Sequence, residues 1–149
     1  MAPRLKAENS LGYVINRLAR EYARAISRDI AAHGLQPGYL PVLFALWEEE
    51  GRSQSELATI AEIEQPTMAA TLTRMERDGL ILRERHPSDK RASRVLLTDR
   101  ARALRTQVTK SARTINNYSV SGLTVISPDD LLHALLQLTE TLRIPRADR

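Results

Sequence analysis

The sequence predicts a mainly α-helical protein with one small β-hairpin. Three observations carry this. Apolar residues recur at three- and four-residue steps through most of the 149 residues, the period of helices with one buried face. Two short runs, LILRER (80–85) and SRVLLT (93–98), have the length and composition of strands and flank a polar loop. Gly34, Gly51 and Gly79 fall at the ends of helical stretches, where a helix is readily closed.

The elements follow in order. Residues 10–33 form one long helical pattern with Leu11, Val14, Ile15, Leu18, Tyr22, Ala25, Ile26 and Ile30 on its apolar face. Ser10 or Asn9 can cap its start, and Gly34 can close it in the left-handed conformation. A second helix begins around residues 38–40, because Pro41 is tolerated only in or near a first turn. Val42, Leu43, Leu46 and Trp47 make its stripe, and Gly51 is its expected stop. SQSELATIA (53–61) opens with Ser53 and Glu56 at capping-box spacing. After a turn at 62–64, QPTMAATLTRMERDG reads as another helix, with Pro66 in its first turn and Gly79 at its end. The hairpin comes next. Thr98 then caps a single long helix over roughly 99–120, whose stripe is Ala101, Leu104, Val108, Ala112 and Ile115. Ser127, Pro128 and Asp130 start a last helix, filled by Leu131, Leu132, Leu135, Leu138 and Leu142 and ending before Pro145.

Composition narrows the class of function. The chain is 42% hydrophobic and 27% charged, as globular proteins are, and its 4% aromatic content leaves the core to aliphatic residues. No run of about 18 apolar residues is present, so no membrane span or membrane partner is expected. The start MAPRLKAENS lacks an apolar signal core, which points to a cytoplasmic protein. The absence of cysteine excludes disulfides, thiol redox sensing, cysteine zinc sites and cysteine nucleophiles together. His33, His86 and His133 lie far apart without an i+4 partner or a clustered acid, so no metal or other cofactor is implied. No nucleophile-elbow sequence occurs, and no enzyme is expected. A net charge of +4 permits nucleic acid as a partner without requiring it.

A two-stranded hairpin cannot stand alone, so this one must pack on the short helices before it. Helix, turn, helix, then hairpin is a winged helix-turn-helix, in which the second helix enters the DNA major groove and the hairpin is the wing. That lobe spans 38–98. The long helices in 1–37 and 99–149 carry more apolar surface than it can cover. They either close a bundle on each other or pair with a second copy of the chain; a homodimer would set two recognition helices about one DNA turn apart.

The run from Ser53 to Leu104 resembles the DNA-binding lobe of the MarR family of bacterial transcription regulators. The resemblance rests on ELA in the first short helix, EQPT opening the recognition helix, RMERDGLI at its exit, and Arg83, Asp89 and Arg91 in the wing ahead of Thr98. GLQPGYLPVLFAL and SPDDLLHALLQL resemble the family's flanking helices more loosely. Glu62, Ala70 and Ala101 depart from the pattern, standing where glycine, a larger polar residue and glycine are frequent. The resemblance implies a ligand-responsive repressor, bacterial and associated with the nucleoid, acting as a homodimer on a pseudo-palindromic operator.

Residue roles follow from the lobe and the resemblance together. With Met68, Leu72 and Met75 inward, the recognition helix turns Gln65, Thr67, Ala70, Thr73 and Arg74 outward, beside Pro66. Glutamine reads adenine, arginine reads guanine, and threonine meets phosphate or a thymine methyl. The plain alternative is a solvated helix face. In the wing, Arg83, Arg85, Ser88, Lys90 and Arg94 are candidate contacts. The resemblance implies that Arg91 enters the minor groove and that Asp89 braces it, against the alternative of a charged tip that only keeps the hairpin soluble. Ser53, Gln54 and Ser55 are candidate backbone contacts, with capping an equal account of Ser53. The resemblance also implies a pocket for a small aromatic or lipophilic effector. Arg17, Arg20, His33, Tyr39 and Trp47 are its candidates, against the alternative that Tyr39 and Trp47 are core and the arginines a solvated face. A different reading of the whole chain is a winged-helix module for protein contact or scaffolding, without DNA.

Overall fold

The computed structural model describes residues 6–85, 87–88 and 93–143. The chain divides into two compact units, Met1–Ala112 and Arg113–Arg149, and the division falls within one helix.

In the first unit, α1 (Leu11–Ile30) is followed by a 3-10 turn, Ala31–His33. Ser10 holds the capping position by its extended backbone, without a side-chain capping bond. Gly34 closes the turn at φ +70°, and its N–H donates to the Ala31 carbonyl at 3.0 Å. A side chain there would meet Arg100 as well as backbone strain, because a Cβ would come within 2.9 Å of the guanidinium. The amphipathic pattern of α1 is used unevenly: Ile26 and Ile30 are buried, whereas Leu11, Val14 and Leu18 stay exposed.

Helix α2 (Leu40–Glu48) follows a 3-10 turn at Pro37–Tyr39, with Pro41 in its first turn as the missing N–H requires. It ends at Glu48, so the stop expected at Gly51 is corrected. Gly51 (φ +86°) instead docks the link, its N–H donating to the Val95 carbonyl at 2.9 Å while the Val95 N–H donates to Arg52 at 2.9 Å. Helix α3 (Gln54–Ala61) starts with the full capping box: Ser53 Oγ accepts from the Glu56 N–H, and the Glu56 carboxylate accepts from the Ser53 N–H. It stops at Glu62, the one non-glycine residue with a positive φ (+55°) among the described residues. Helix α4 (Gln65–Arg77) has Pro66 in its first turn and closes through Asp78 and Gly79.

Strands β1 (Ile81–Arg85) and β2 (Ser93–Leu97) pair antiparallel, with Arg83 opposite Val95 and Glu84 opposite Arg94. Thr98 then caps α5 (Asp99–Ala103), its hydroxyl accepting from the Ala101 N–H and donating to the Gly79 carbonyl. The single helix expected over 99–120 is corrected as well. It breaks at Leu104, and α6 (Arg105–Val120) continues. The break coincides with the Trp47 indole donating to the Ala101 carbonyl at 3.0 Å, the acceptor an unbroken helix offers to residue 105. The stripe survives, since Ala101 and Val108 are fully buried.

The core of this unit is continuous. Val42, Leu43 and Leu46 of α2, Leu57 of α3, Met68, Leu72 and Met75 of α4, and Leu80, Ile81, Val95 and Leu97 at the hairpin are at most 2% exposed. Each such side chain contributes roughly 1.5–3 kcal/mol by leaving water. The hairpin is thus held by Ile81, Val95 and Leu97 on its inner face, which Arg83 shares, while Glu84 and Arg94 pair on the outer face.

In the second unit, α7 (Pro128–Arg143) is capped by Ser127, whose Oγ accepts from the Asp130 N–H at 3.1 Å. None of its residues is buried, and Leu132, Leu136 and Leu142 are more than half exposed. Among the described residues no helix is long and apolar enough to cross a membrane.

Candidate nucleic-acid interface

Packing of Met68, Leu72 and Met75 fixes the rotation of α4, because these residues lie on one face. The opposite face is therefore open. Pro66, Thr67, Ala70, Thr73 and Arg74 are all exposed on it, as the periodicity predicts, and Gln65 is exposed in the first turn on the side toward α3.

Three polar side chains join the start of α3 to the start of α4. Gln54 Nε2 donates to Gln65 Oε1 at 3.3 Å, and Gln65 Nε2 donates to Ser55 Oγ at 3.3 Å. Further along, the wing leans on α4. Arg83 donates to Thr73 Oγ1 at 3.2 Å and lies 3.5 Å from the Glu76 carboxylate, while the Thr73 hydroxyl donates to the Ala69 carbonyl at 2.9 Å. Across the strands Arg94 pairs with Glu84 at 3.1 Å. Arg74 reaches the Thr71 hydroxyl at 3.3 Å. Arg85 and Ser88 are exposed at the outer end of the hairpin. Asp89, Lys90 and Arg91, on which the wing-tip expectation rests, lie outside the described residues, as does His86. Ser53 is engaged in the capping box.

The residues expected around a ligand do not converge. The Tyr39 ring is buried and its hydroxyl donates to the Asp78 carboxylate at 2.6 Å. Burial and that acidic neighbour push the Tyr39 phenol up, and Arg77 and Tyr39 together hold the Asp78 carboxyl below its usual value. Trp47 is 7% exposed with its indole N–H satisfied. Arg17 and Arg20 are exposed on the outer half of α1, and His33 is half-buried. Trp47 does border an open cavity of about 320 Å³, whose wall includes Glu48, Glu50, Arg102 and Arg105.

Two fasteners at the base of the lobe escaped sequence reasoning. Glu50 accepts a fork from Arg102 at 2.7 and 2.9 Å and also the Leu97 N–H at 3.0 Å, tying the α2–α3 link, the end of β2 and α5 together. Arg102 also pairs with Asp99 at 2.7 Å. Arg100 donates to the carbonyls of Asp78 and His33, each at 2.6 Å, placing a cation where two helical segments end. Only the chain fold brings residues 67 apart in sequence together, as in the Arg100–His33 contact; no local spacing signals it.

Comparison with known proteins agrees with this geometry. The MarR family model matches residues 36–93, which covers α2 to the start of β2. The HTH-type transcriptional regulator TtmR of Methylorubrum extorquens (strain PA1) is 30% identical over 136 residues, 91% of this chain and 68% of that one. The transcriptional repressor CouR, solved bound to a 23-mer DNA duplex, superposes with a TM-score of 0.73 at 30% identity, over 95% of this chain and 100% of that one. A MarR transcriptional regulator from Methanosarcina mazei Go1 superposes with a TM-score of 0.77 at 25% identity, over 88% of this chain and 94% of that one. The winged-helix lobe, its open α4 face and these relatives together make the chain a member of the MarR family of transcription regulators.

Proposed function

We propose that the protein is a sequence-specific double-stranded DNA-binding regulator, a repressor acting in the bacterial cytoplasm as a homodimer on a pseudo-palindromic operator. The observation that carries this is the outer face of α4: polar, exposed, rotationally fixed by a complete core, and flanked by a cationic hairpin. A helix so presented fits the major groove, and the wing would reach the neighbouring minor groove. Arg91, with Asp89 as its brace, is the proposed minor-groove residue; Lys90, Arg85 and Ser55 at the α3 start are proposed partners of the backbone. In this reading residues 38–98 read DNA, and 1–37 with 99–149 assemble the dimer.

The exposed leucines of α1 and α7 support the dimer, since isolated apolar faces of this kind mark association surfaces. Ligand responsiveness belongs to the same proposal. A small aromatic or lipophilic effector that prefers the non-binding conformation would weaken operator affinity by its differential affinity. The cavity beside Trp47 adjoins the Glu50–Arg102 clamp at the wing base, so an occupant there would bear on the wing.

The test is binding to a duplex enriched by the protein from a random library. Arg91→Ala is expected to lower affinity about fivefold to 100-fold, the worth of one good groove contact, with the dimer intact. Unchanged affinity would remove the wing from the interface, and binding to protein partners but to no duplex would leave a scaffold module in its place.

A further inference from the structure

We propose that Gln65 is the adenine-reading residue of the interface and that Gln54, with Ser55, is built to aim it; this rests on the DNA-binding reading above. Gln65 stands in the first turn of α4, where a groove-inserted helix meets base edges. Its side chain is exposed, yet its amide is held at both ends. The oxygen accepts from Gln54 and the nitrogen donates to Ser55, both on α3. In either orientation of the amide, these two contacts occupy one site on its oxygen and one on its nitrogen.

Each bond uses half of the capacity of the atom it meets. A primary amide has two acceptor lobes on oxygen and two N–H groups on nitrogen. Gln65 therefore keeps one acceptor and one donor pointing away from α3. Of the four bases, adenine alone offers the complement in the major groove on one edge: the N7 acceptor and the N6 donor. Guanine shows two acceptors there, and would face the Gln65 oxygen with O6 or N7. Gln54 is half-buried at the start of α3 and acts through Gln65. It is a positioning residue: it removes rotational freedom from a side chain that otherwise loses it on binding. No comparable bracing of the outer atoms occurs at Ala70, which has none to offer.

The experiment uses the full chain and the operator enriched from random duplex, with every base pair of one half-site replaced in turn. Wild-type protein is expected to lose roughly 5- to 150-fold at one A·T pair when it is replaced. Gln65→Ala should erase that preference and leave the others. Gln54→Ala should weaken the same preference alone, and should add nothing in the Gln65→Ala background. A 7-deazaadenine at that pair, which lacks the N7 acceptor, should weaken the wild type and leave Gln65→Ala indifferent; the wild-type arm of this readout does not depend on how well a variant folds. If Gln54→Ala lowers affinity evenly for all sequences, or if Gln65→Ala retains every preference, the assignment is overturned. Failure to enrich any duplex would instead overturn the DNA-binding reading on which it rests.

Discussion

Glu50 shows how one carboxylate can hold the base of the wing. Arg102 is the first cause of its lowered pKa, burial opposes the shift, and the Leu97 N–H adds to it. The folded state then binds this proton more weakly than the unfolded chain does. The stabilisation is therefore complete above the ordinary value of 4.5 and disappears as pH falls through the lowered folded value. Glu50→Gln should lower the melting temperature at neutral pH, and the difference from wild type should shrink on titration from about pH 6 to about pH 3. A constant difference across that range would mean that the charge is not what matters. Trp47 has a comparable role in the core. Trp47→Phe keeps an aromatic ring but leaves the Ala101 carbonyl without the indole N–H, and should cost about 1–3 kcal/mol in denaturant unfolding. If the α5–α6 break follows from that bond, the variant should also show more continuous helix across 99–108 by amide exchange.

Among the elements, those defined by local chemistry were legible. Ser53 and Glu56 announced the start of α3, Pro41 and Pro66 restricted where α2 and α4 begin, and the 68–72–75 stripe set which face of α4 is open. Gly51 and Leu104 were misread for one reason. Both coincide with contacts from distant elements, Val95 for the glycine and Trp47 for the break near Leu104, and a one-dimensional pattern does not contain them. The same holds for Arg83, which reads as one of five wing cations but is drawn to Thr73 and Glu76 of α4. The bracing of Gln65 was invisible because the two glutamines are 11 residues apart, on separate helices. Ser53 allows the capping and DNA-contact readings to be separated. Ser53→Ala should cost about 1 kcal/mol of stability and leave the DNA affinity of the folded protein unchanged. A reduced affinity at a temperature where both proteins are fully folded would return Ser53 to the interface.

For the molecule as a whole, assembly and recognition are one problem. A single lobe presents one recognition helix; two lobes at fixed spacing present a palindrome reader. The exposed leucines of α7 are the test of assembly. Leu136→Glu should convert the dimer to monomer in sedimentation equilibrium and weaken operator binding, while the thermal transition of the lobe persists. An intact dimer after this change would put the association surface elsewhere. The central claim, that the α4 face and the wing together bind duplex DNA by sequence, is tested most directly by salt. The affinity of the full chain for its enriched operator and for a scrambled duplex is measured as salt rises from about 50 to about 200 mM. The expected result is a linear fall of log affinity with log salt on both duplexes, with the operator bound about 1,000-fold or more tightly throughout. Equal affinity for the two duplexes, or no binding to either at the lowest salt, would contradict the account.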